Sequence, residues 1–210
     1  MDKLIQILKN KLEALELLGR FWEMLYIEGS TPDIGKRREN IIRAFLEIEL
    51  GVKVISAPPM ERDWDFQVVF IDGGTQTYSL KTTENITTLK VAWNGFPSIE
   101  RARKFEFKYP ILYVSANRHT KEISVFVFDL EDLNSVKIEL GDEMWWIPRS
   151  GTNPRGFGIN TRALKLLIQK AEAKGNAITK KYSAIDIKSI EREYWVKWYY
   201  LLRELATRHV

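Results

Sequence analysis

A carboxylate and an ammonium group that meet in a predicted β-hairpin are the residues of this sequence best suited to chemistry. Residues 65–70 and 76–81 each alternate apolar and polar side chains, and Asp72-Gly73-Gly74 between them is a strong hairpin signal. With these three residues as the loop, Asp65 pairs with Lys81 at the open end of the hairpin. A carboxylate can hold a hard cation and an ammonium can stabilise developing negative charge, so the pair is suited to metal-assisted phosphodiester hydrolysis.

The hairpin has one apolar and one polar face, because successive side chains of a strand point to opposite sides. The apolar face is predicted to enter the core and consists of Phe66, Val68, Phe70, Tyr78 and Leu80. The polar face consists of Asp65, Gln67, Ser79 and Lys81. A surface ion pair would also account for Asp65 and Lys81, and such pairs stabilise a protein little. The preceding elements favour the chemical interpretation.

An amphipathic helix is predicted upstream, over residues 35–50, and Gly51 ends it. A short strand, residues 52–55, follows the helix and leads towards the hairpin. Within the helix an acidic side chain shares a stripe with apolar residues at helical spacing, and this stripe consists of Glu39, Ile42, Leu46 and Leu50. Glu39 is therefore expected to face inward.

The order of these elements resembles the PD-(D/E)xK nuclease superfamily and, within it, the type II restriction endonucleases. The resemblance covers residues 35–130. It implies hydrolysis of DNA with Mg²⁺, in which Asp65, the Leu80 carbonyl and a second carboxylate bind the metal. Lys81 would orient the attacking water and stabilise the charge of the transition state.

The sequence departs from the family at its (D/E)xK motif, which corresponds to Ser79-Leu80-Lys81 and has serine in place of the acid. Some restriction enzymes, including ones that recognise CCGG-type sites, also have serine there and supply the carboxylate from a helix. Glu39 is the first candidate for this relocated acid, Glu84 and Glu100 are alternatives, and Asp63 is a further possible ligand. The predicted catalytic residues are Asp65, Lys81, Glu39 and Ser79, and the predicted metal ligands are Asp65, Glu39 and Leu80.

A second possible site is the literal ExK tripeptide Glu106-Phe107-Lys108. It precedes the apolar run 109–114 instead of closing a hairpin. We expect this tripeptide to be the catalytic site only if Asp65 and Lys81 do not form it.

Composition narrows the class of protein. The 210 residues are enough for one sizeable core, so a single domain over 1–210 is expected. The chain has no cysteine and two histidines, which excludes disulfides, Cys-ligated zinc and a cluster of His ligands. Without a run of about 20 apolar residues or a signal-peptide pattern, a cytoplasmic protein with no membrane partner is expected.

The positive charge is concentrated in residues 149–181, which hold eight Lys and Arg residues against one acid, although the net charge of the chain is only +4. Such a region is typical of contact with a phosphate backbone. Within it, the Gly- and Pro-rich loop 148–160 is the predicted element for reading bases. The candidate DNA-binding residues are Arg149, Asn153 and Arg155 for base edges and Arg162 and Lys165 for phosphates.

The predicted fold is an α/β domain, with a central mixed β-sheet of about five strands flanked by helices and with helical additions at both ends. Two further strands are expected at 109–115, central in the sheet, and at 123–130. The terminal helices are expected over 2–27 and 185–207, and a helix capped by Asn160 over 161–173.

Two classes of function fit these observations. The first is a Mg²⁺-dependent type II restriction endonuclease that acts as a homodimer on palindromic double-stranded DNA, since two-fold protein symmetry matches two-fold site symmetry. A Holliday-junction resolvase or repair nuclease is the nearest enzymatic alternative. The second class is a non-catalytic DNA-binding protein on a degenerate nuclease fold, for which Ser79 is the supporting observation.

Overall fold

The computed structural model describes residues 1–26, 34–92, 95–148, 155–184 and 186–207. Its helices are α1 (Lys3–Lys9), α2 (Leu12–Met24), α3 (Ile34–Leu50), α4 (Ile99–Arg103), α5 (Leu130–Leu140), α6 (Thr161–Ala173) and α7 (Ile187–Thr207). Its strands are β1 (Lys53–Ser56), β2 (Phe66–Val69), β3 (Thr75–Thr83), β4 (Leu89–Ala92), β5 (Ile111–Asn117), β6 (Glu122–Phe128), β7 (Trp145–Trp146), β8 (Phe157–Ile159) and β9 (Ala177–Lys181).

Six strands form one mixed sheet in the order β1-β2-β3-β5-β6-β9. β3 and β5 run parallel, and the other neighbouring pairs run antiparallel. β5 lies inside the sheet and is buried along nearly its whole length, which confirms the prediction of a central apolar strand. The predicted fold class is confirmed as well, with six strands in the main sheet instead of about five.

Helices cover both faces of this sheet. On one face, α1, α2 and α3 bury their apolar stripes against Leu112 and Val114 of β5 and against the apolar face of the hairpin. On the other face, α5 and α6 pack around Tyr113, Phe126 and Phe128. Because Lys81 pairs with Tyr113, the polar face of the hairpin lies on the side of this second core.

A separate three-stranded sheet, in the order β4-β8-β7, adjoins the second core. This small sheet was not predicted from the sequence. Its pairing joins Leu89 to Ile159 and Trp145 to Ile159, so it depends on contacts between residues far apart in the chain.

The hairpin has the predicted faces but a different register. Gly73 has φ +83°, so it takes the left-handed position of a three-residue loop formed by Ile71-Asp72-Gly73, and Phe70 donates to the Gly74 carbonyl across the loop at 2.8 Å. Phe66 consequently pairs with Tyr78. The prediction that Asp65 lies opposite Lys81 was wrong by two residues, a shift that leaves every side chain on its predicted face.

The N-terminal helix predicted over 2–27 is two helices, so that prediction was wrong. Asn10 ends α1, and Lys11 leaves the helical conformation with φ −135° and donates its ammonium to the Glu49 carbonyl at 2.5 Å. Leu12 is 43% exposed as a result. Five leucines of the two helices and of the residue that follows them are buried: Leu4, Leu8, Leu15, Leu18 and Leu25.

α7 has the predicted bounds within two residues and presents many apolar side chains to solvent, among them Val196, Trp198, Tyr199, Tyr200 and Leu201. Within the described part of the chain, no helix is both long and apolar enough to cross a membrane.

Candidate active site

Asp65 stands immediately before β2, and its backbone is held from both sides. Its amide donates to the Tyr78 carbonyl at 2.9 Å, and its carbonyl accepts from the Ala57 amide at 3.0 Å. Its carboxylate oxygen Oδ2 accepts from the Leu80 amide at 2.5 Å and from the Ser79 hydroxyl at 3.3 Å. No hydrogen bond to the second carboxylate oxygen, Oδ1, is found among the described residues, and the Asp65 side chain is 36% exposed.

Lys81 lies on the same face of β3 as Ser79, and its side chain folds back along the strand. Its ammonium donates to the Ser79 hydroxyl at 2.8 Å and to the Leu80 carbonyl at 3.1 Å, and it lies 3.5 Å from Asp65 Oδ2. The side chain is only 16% exposed. The structure therefore brings Asp65, Ser79, Leu80 and Lys81 together although the predicted strand register was wrong.

A cleft of about 960 Å³ opens over this cluster. Its lining includes Asp65, Leu80 and Lys81 from the hairpin and Glu39 from the second turn of α3. Ile42, Leu46 and Leu50 are buried, so the apolar stripe of α3 faces the core as predicted. The Glu39 side chain is 20% exposed, and its carboxylate pairs with Lys36 at 2.8 Å.

The oxygens at the cleft have the chemistry that Mg²⁺ requires. Asp65 and Glu39 supply carboxylates, Leu80 supplies a carbonyl, and hard oxygens of this kind are the preferred ligands of this ion. No three His, Cys, Asp or Glu side chains of the described ranges form a complete metal cluster. Mg²⁺ in proteins is usually held by one or two carboxylates and keeps several waters. Lys36 is 62% exposed, so Glu39 can exchange this partner for a metal at little cost.

Glu84, one alternative for the relocated acid, belongs to a different cluster. One of its oxygens accepts from Tyr26 and, at 2.9 Å, from Arg38. The other accepts two bonds from the Arg118 guanidinium, at 3.1 and 3.0 Å. Both oxygens are thus engaged, and Glu84 does not line the described cleft. The other alternative, Glu100, is exposed on α4 and does not line it either.

The Glu84 cluster gives a prediction about stability. Burial raises the pKa of the Glu84 carboxyl, but hydrogen bonds from Tyr26 and Arg118 and the charges of Arg118 and Arg38 outweigh this, so the pKa lies below its usual 4.5. We expect Glu84→Gln to lower the free energy of unfolding by about 2 kcal/mol at pH 7. A carboxyl group whose pKa is lower in the folded than in the unfolded protein stabilises the folded state at pH values above its unfolded pKa. This contribution disappears as the pH falls through the folded pKa.

Urea denaturation of the wild type and of Glu84→Gln at pH 7 and below pH 4.5 measures this effect. The difference in unfolding free energy between the two proteins should shrink at the lower pH. Glu100→Gln is the matched control at an exposed carboxylate, with an expected change within roughly 0.5 kcal/mol. If the wild type and Glu84→Gln differ by the same unfolding free energy at both pH values, the lowered pKa of Glu84 is contradicted.

The second possible site lies next to the first. Asp63 lines the main cleft and pairs with Lys108 at 2.6 Å. Lys108 and Glu106 line a small adjoining cavity of about 40 Å³ together with Ser79 and Lys81. Glu106 and Lys108 are both exposed in the loop before β5. The structure therefore places the literal ExK tripeptide beside the hairpin site, where Glu106 and Lys81 line the same small cavity.

The candidate DNA-binding residues lie outside this cleft or outside the described residues. Arg149 and Asn153 belong to residues 149–154, which the structure does not describe. Arg155 and Lys165 are exposed, and Arg162 pairs with Glu143 at 2.6 Å. Arg155, Arg162 and Lys165 do not line the cleft as it is described. α6 itself, with Asn160 as its N-cap, has the predicted bounds.

Sequence reasoning missed four cationic side chains that line the cleft. They are Arg62, Lys90, Arg101 and Lys104, and they come from the loop before β2, from β4 and from α4 with its C-cap. A signal was present, since residues 101–104 hold three cations within four residues, shortly after Ser98, a residue type that commonly caps helices. The fold that places them beside the hairpin depends on the unpredicted small sheet.

Comparison with known proteins identifies the fold. No family model matches the chain, and no curated protein does. Among solved structures the chain is similar to one described as a restriction endonuclease in complex with substrate DNA. The TM-score is 0.58 at 20% sequence identity, and the similarity covers 92% of this chain and 94% of that chain. The protein therefore has a restriction-endonuclease-like fold.

Proposed function

We propose that this protein is a Mg²⁺-dependent endodeoxyribonuclease of the type II restriction class, which cuts double-stranded DNA at a short palindromic site. One observation carries the proposal, the cluster of Asp65, Ser79 and Lys81 in a cleft whose lining also includes Glu39. The fold adds support, because the similar solved structure is a restriction endonuclease with its substrate DNA.

Each residue of the cluster has a distinct part in the proposed reaction. Asp65, Glu39 and the Leu80 carbonyl would hold Mg²⁺, which when bound activates water and neutralises charge on the phosphate. Lys81 would orient the attacking water and stabilise the negative charge that develops on the phosphate. Ser79 accepts from Lys81 and donates to Asp65, so it holds the ammonium and the carboxylate in one arrangement.

Contacts to DNA outside the cleft are proposed for the basic region 149–181. Arg149 and Arg155 would read guanine edges and Asn153 an adenine edge, since these side chains pair bidentately with those bases. Lys165 and Arg162 would contact phosphates, and Arg162 would give up an exposed pair with Glu143 to do so.

A homodimer is part of the proposal. Two active sites related by a two-fold axis would cut the two strands of a palindrome, whose symmetry matches that of the protein. α7 is the element proposed to meet the second copy, because Trp198, Tyr199 and Tyr200 are 44, 67 and 61% exposed on it. Aromatic side chains are enriched at such interfaces.

Two alternatives make different predictions. A junction resolvase or repair nuclease would use the same cluster on branched or damaged DNA. A non-catalytic DNA-binding protein is favoured by one observation, the neutral Ser79 in place of an acid. Against it, α3 places Glu39 in the lining of the cleft that Asp65 also lines, so a second carboxylate for a metal is present there.

Incubation of the purified protein with Mg²⁺ and either mixed plasmid and phage DNA or synthetic four-way junctions tests the proposal. Discrete fragments from linear phage DNA are the expected result. Cutting of junctions alone would favour the resolvase, and retarded but intact DNA would favour the binding protein. Either of those outcomes would overturn the restriction-type proposal.

A further inference from the structure

The cleft is more basic than its catalytic cluster requires. Five cationic side chains, Arg62, Lys81, Lys90, Arg101 and Lys104, line it against three acidic ones, Glu39, Asp63 and Asp65. The described lining therefore carries two more positive than negative charges. A lining of one prevailing sign attracts a ligand of the opposite sign.

The acids of the cleft already have cationic partners. Asp65 contacts Lys81, while Asp63 and Glu39 pair with Lys108 and Lys36, two lysines that do not line the described cleft. Lys104 and Arg62, by contrast, have no carboxylate within ion-pair distance among the described residues. Their charges are thus available to an anion from outside the chain.

Arg101 is held in place beside them. Its guanidinium donates to the Phe96 carbonyl at 2.6 Å and lies 5.8 Å from the centre of the Phe157 ring. A Cβ atom at Gly95 would stand 2.5 Å from its Nη1 atom, and Gly95 has φ +80°, so glycine leaves room for this arrangement. An arginine fixed in this way loses little conformational entropy when it also contacts a phosphate.

The size of the cleft fits an extended anion. About 960 Å³ lies at the upper end of the range for small-molecule pockets and is far more than one phosphate needs. A DNA strand carries a charge on every nucleotide, so it can meet several separate cations at once.

We infer that Arg62, Lys90, Arg101 and Lys104 form a basic wall that binds consecutive backbone phosphates of the DNA strand being cut. The inference rests on the proposed function and adds the path of the substrate strand. The wall contacts phosphates only, so it contributes affinity without sequence preference. Its task is to hold the strand while the cluster of Asp65, Ser79 and Lys81 acts on one phosphodiester.

Salt dependence of DNA binding distinguishes phosphate contacts from a structural role. Each phosphate contact contributes about 0.9 to the slope of log K against log salt concentration. We expect Lys104→Ala to reduce the slope by about one, and the double variant Arg62→Ala/Lys104→Ala by about two. Binding should weaken equally for duplexes of different sequence. Fluorescence anisotropy with Ca²⁺ in place of Mg²⁺ measures this without cleavage.

Two controls make the outcome decisive. Lys53→Ala removes an exposed lysine of β1 that does not line the described cleft, and its slope should equal that of the wild type. Lys104→Arg keeps the positive charge and should have the wild-type slope. If Lys104→Ala acted by disturbing the fold, retention of the charge in Lys104→Arg would not by itself preserve the slope. If the wild type binds and cuts DNA but Lys104→Ala and Lys53→Ala have equal slopes, the inference is overturned and the proposed function is not. A wild type that does not bind DNA would overturn the proposed function and the inference together.

Discussion

Alanine in place of Asp65 or Lys81 is expected to reduce DNA cleavage by about 10³-fold or more while specific DNA binding remains measurable. Asp65→Ala removes a proposed metal ligand and also the acceptor of the Leu80 amide. Lys81→Ala removes the ammonium but leaves the Asp65 carboxylate and the Leu80 carbonyl in place. The two variants should therefore differ in one respect, because only Asp65→Ala should lose the increase in DNA affinity that Ca²⁺ produces.

Cleavage under single-turnover conditions, with DNA binding measured in Ca²⁺, tests both variants. Gln67→Ala is the matched control, since Gln67 lies on the same polar face, contacts Thr77 and does not line the described cleft. It should cut at close to the wild-type rate. If both Asp65→Ala and Lys81→Ala cut DNA at the wild-type rate, these two residues are not catalytic, and Glu106 and Lys108 become the candidates.

Loss of Glu39 is expected to be nearly as damaging as loss of Asp65, whereas Ser79→Ala should be much milder. The reason is charge, because a serine hydroxyl is a weak ligand for Mg²⁺ and the Asp65 carboxylate alone holds a hard dication poorly against water. Ser79→Ala removes one acceptor of Lys81, but the Leu80 carbonyl and Asp65 still hold the ammonium. We expect a loss of about 10-fold for Ser79→Ala and of about 10²-fold or more for Glu39→Ala.

The double variant Glu39→Ala/Ser79→Glu tests whether the two positions serve one metal. Recovery of cleavage above the Glu39→Ala level would show that an acid on β3 replaces the acid on α3. Lys36→Ala is the control for the exposed pair on α3 and should remain active. A fully active Glu39→Ala would refute the relocated acid and point to Asp63 or Glu106, since Glu84 is held by Tyr26, Arg38 and Arg118.

The local parts of the fold were predictable from the sequence because local patterns determine them. Alternation in residues 65–70 and 76–81 identified the buried face of the hairpin, and helical spacing identified the inward stripe of α3. The register of the hairpin was not predictable from alternation, since a shift of two residues preserves both faces. It depended on which glycine takes the left-handed position, and the structure gives that position to Gly73.

The contacts among Asp65, Ser79 and Lys81 were predictable to the same extent, because one hairpin carries all three residues. Glu39 lines the same cleft because the apolar stripe of α3 is buried. The basic wall did not follow from the sequence, because β4 reaches the cleft by pairing with β8, some seventy residues further along the chain. β8 contains Gly158, whose missing side chain allows close approach to the Leu89 carbonyl and at the same time weakens any strand pattern.

Iron-directed cleavage of the protein tests most directly whether this cleft holds the metal that DNA hydrolysis needs. Fe²⁺ in place of Mg²⁺, supplied with ascorbate and peroxide, generates radicals that cut the polypeptide beside the metal, and mass spectrometry locates the cuts. We predict cuts near residues 39, 65 and 79–81 that excess Mg²⁺ suppresses and that Asp65→Ala abolishes. Cuts confined to α5 and α6, neither of which lines the described cleft, or cuts unchanged in Asp65→Ala while the wild type cleaves DNA with Mg²⁺, would contradict the account.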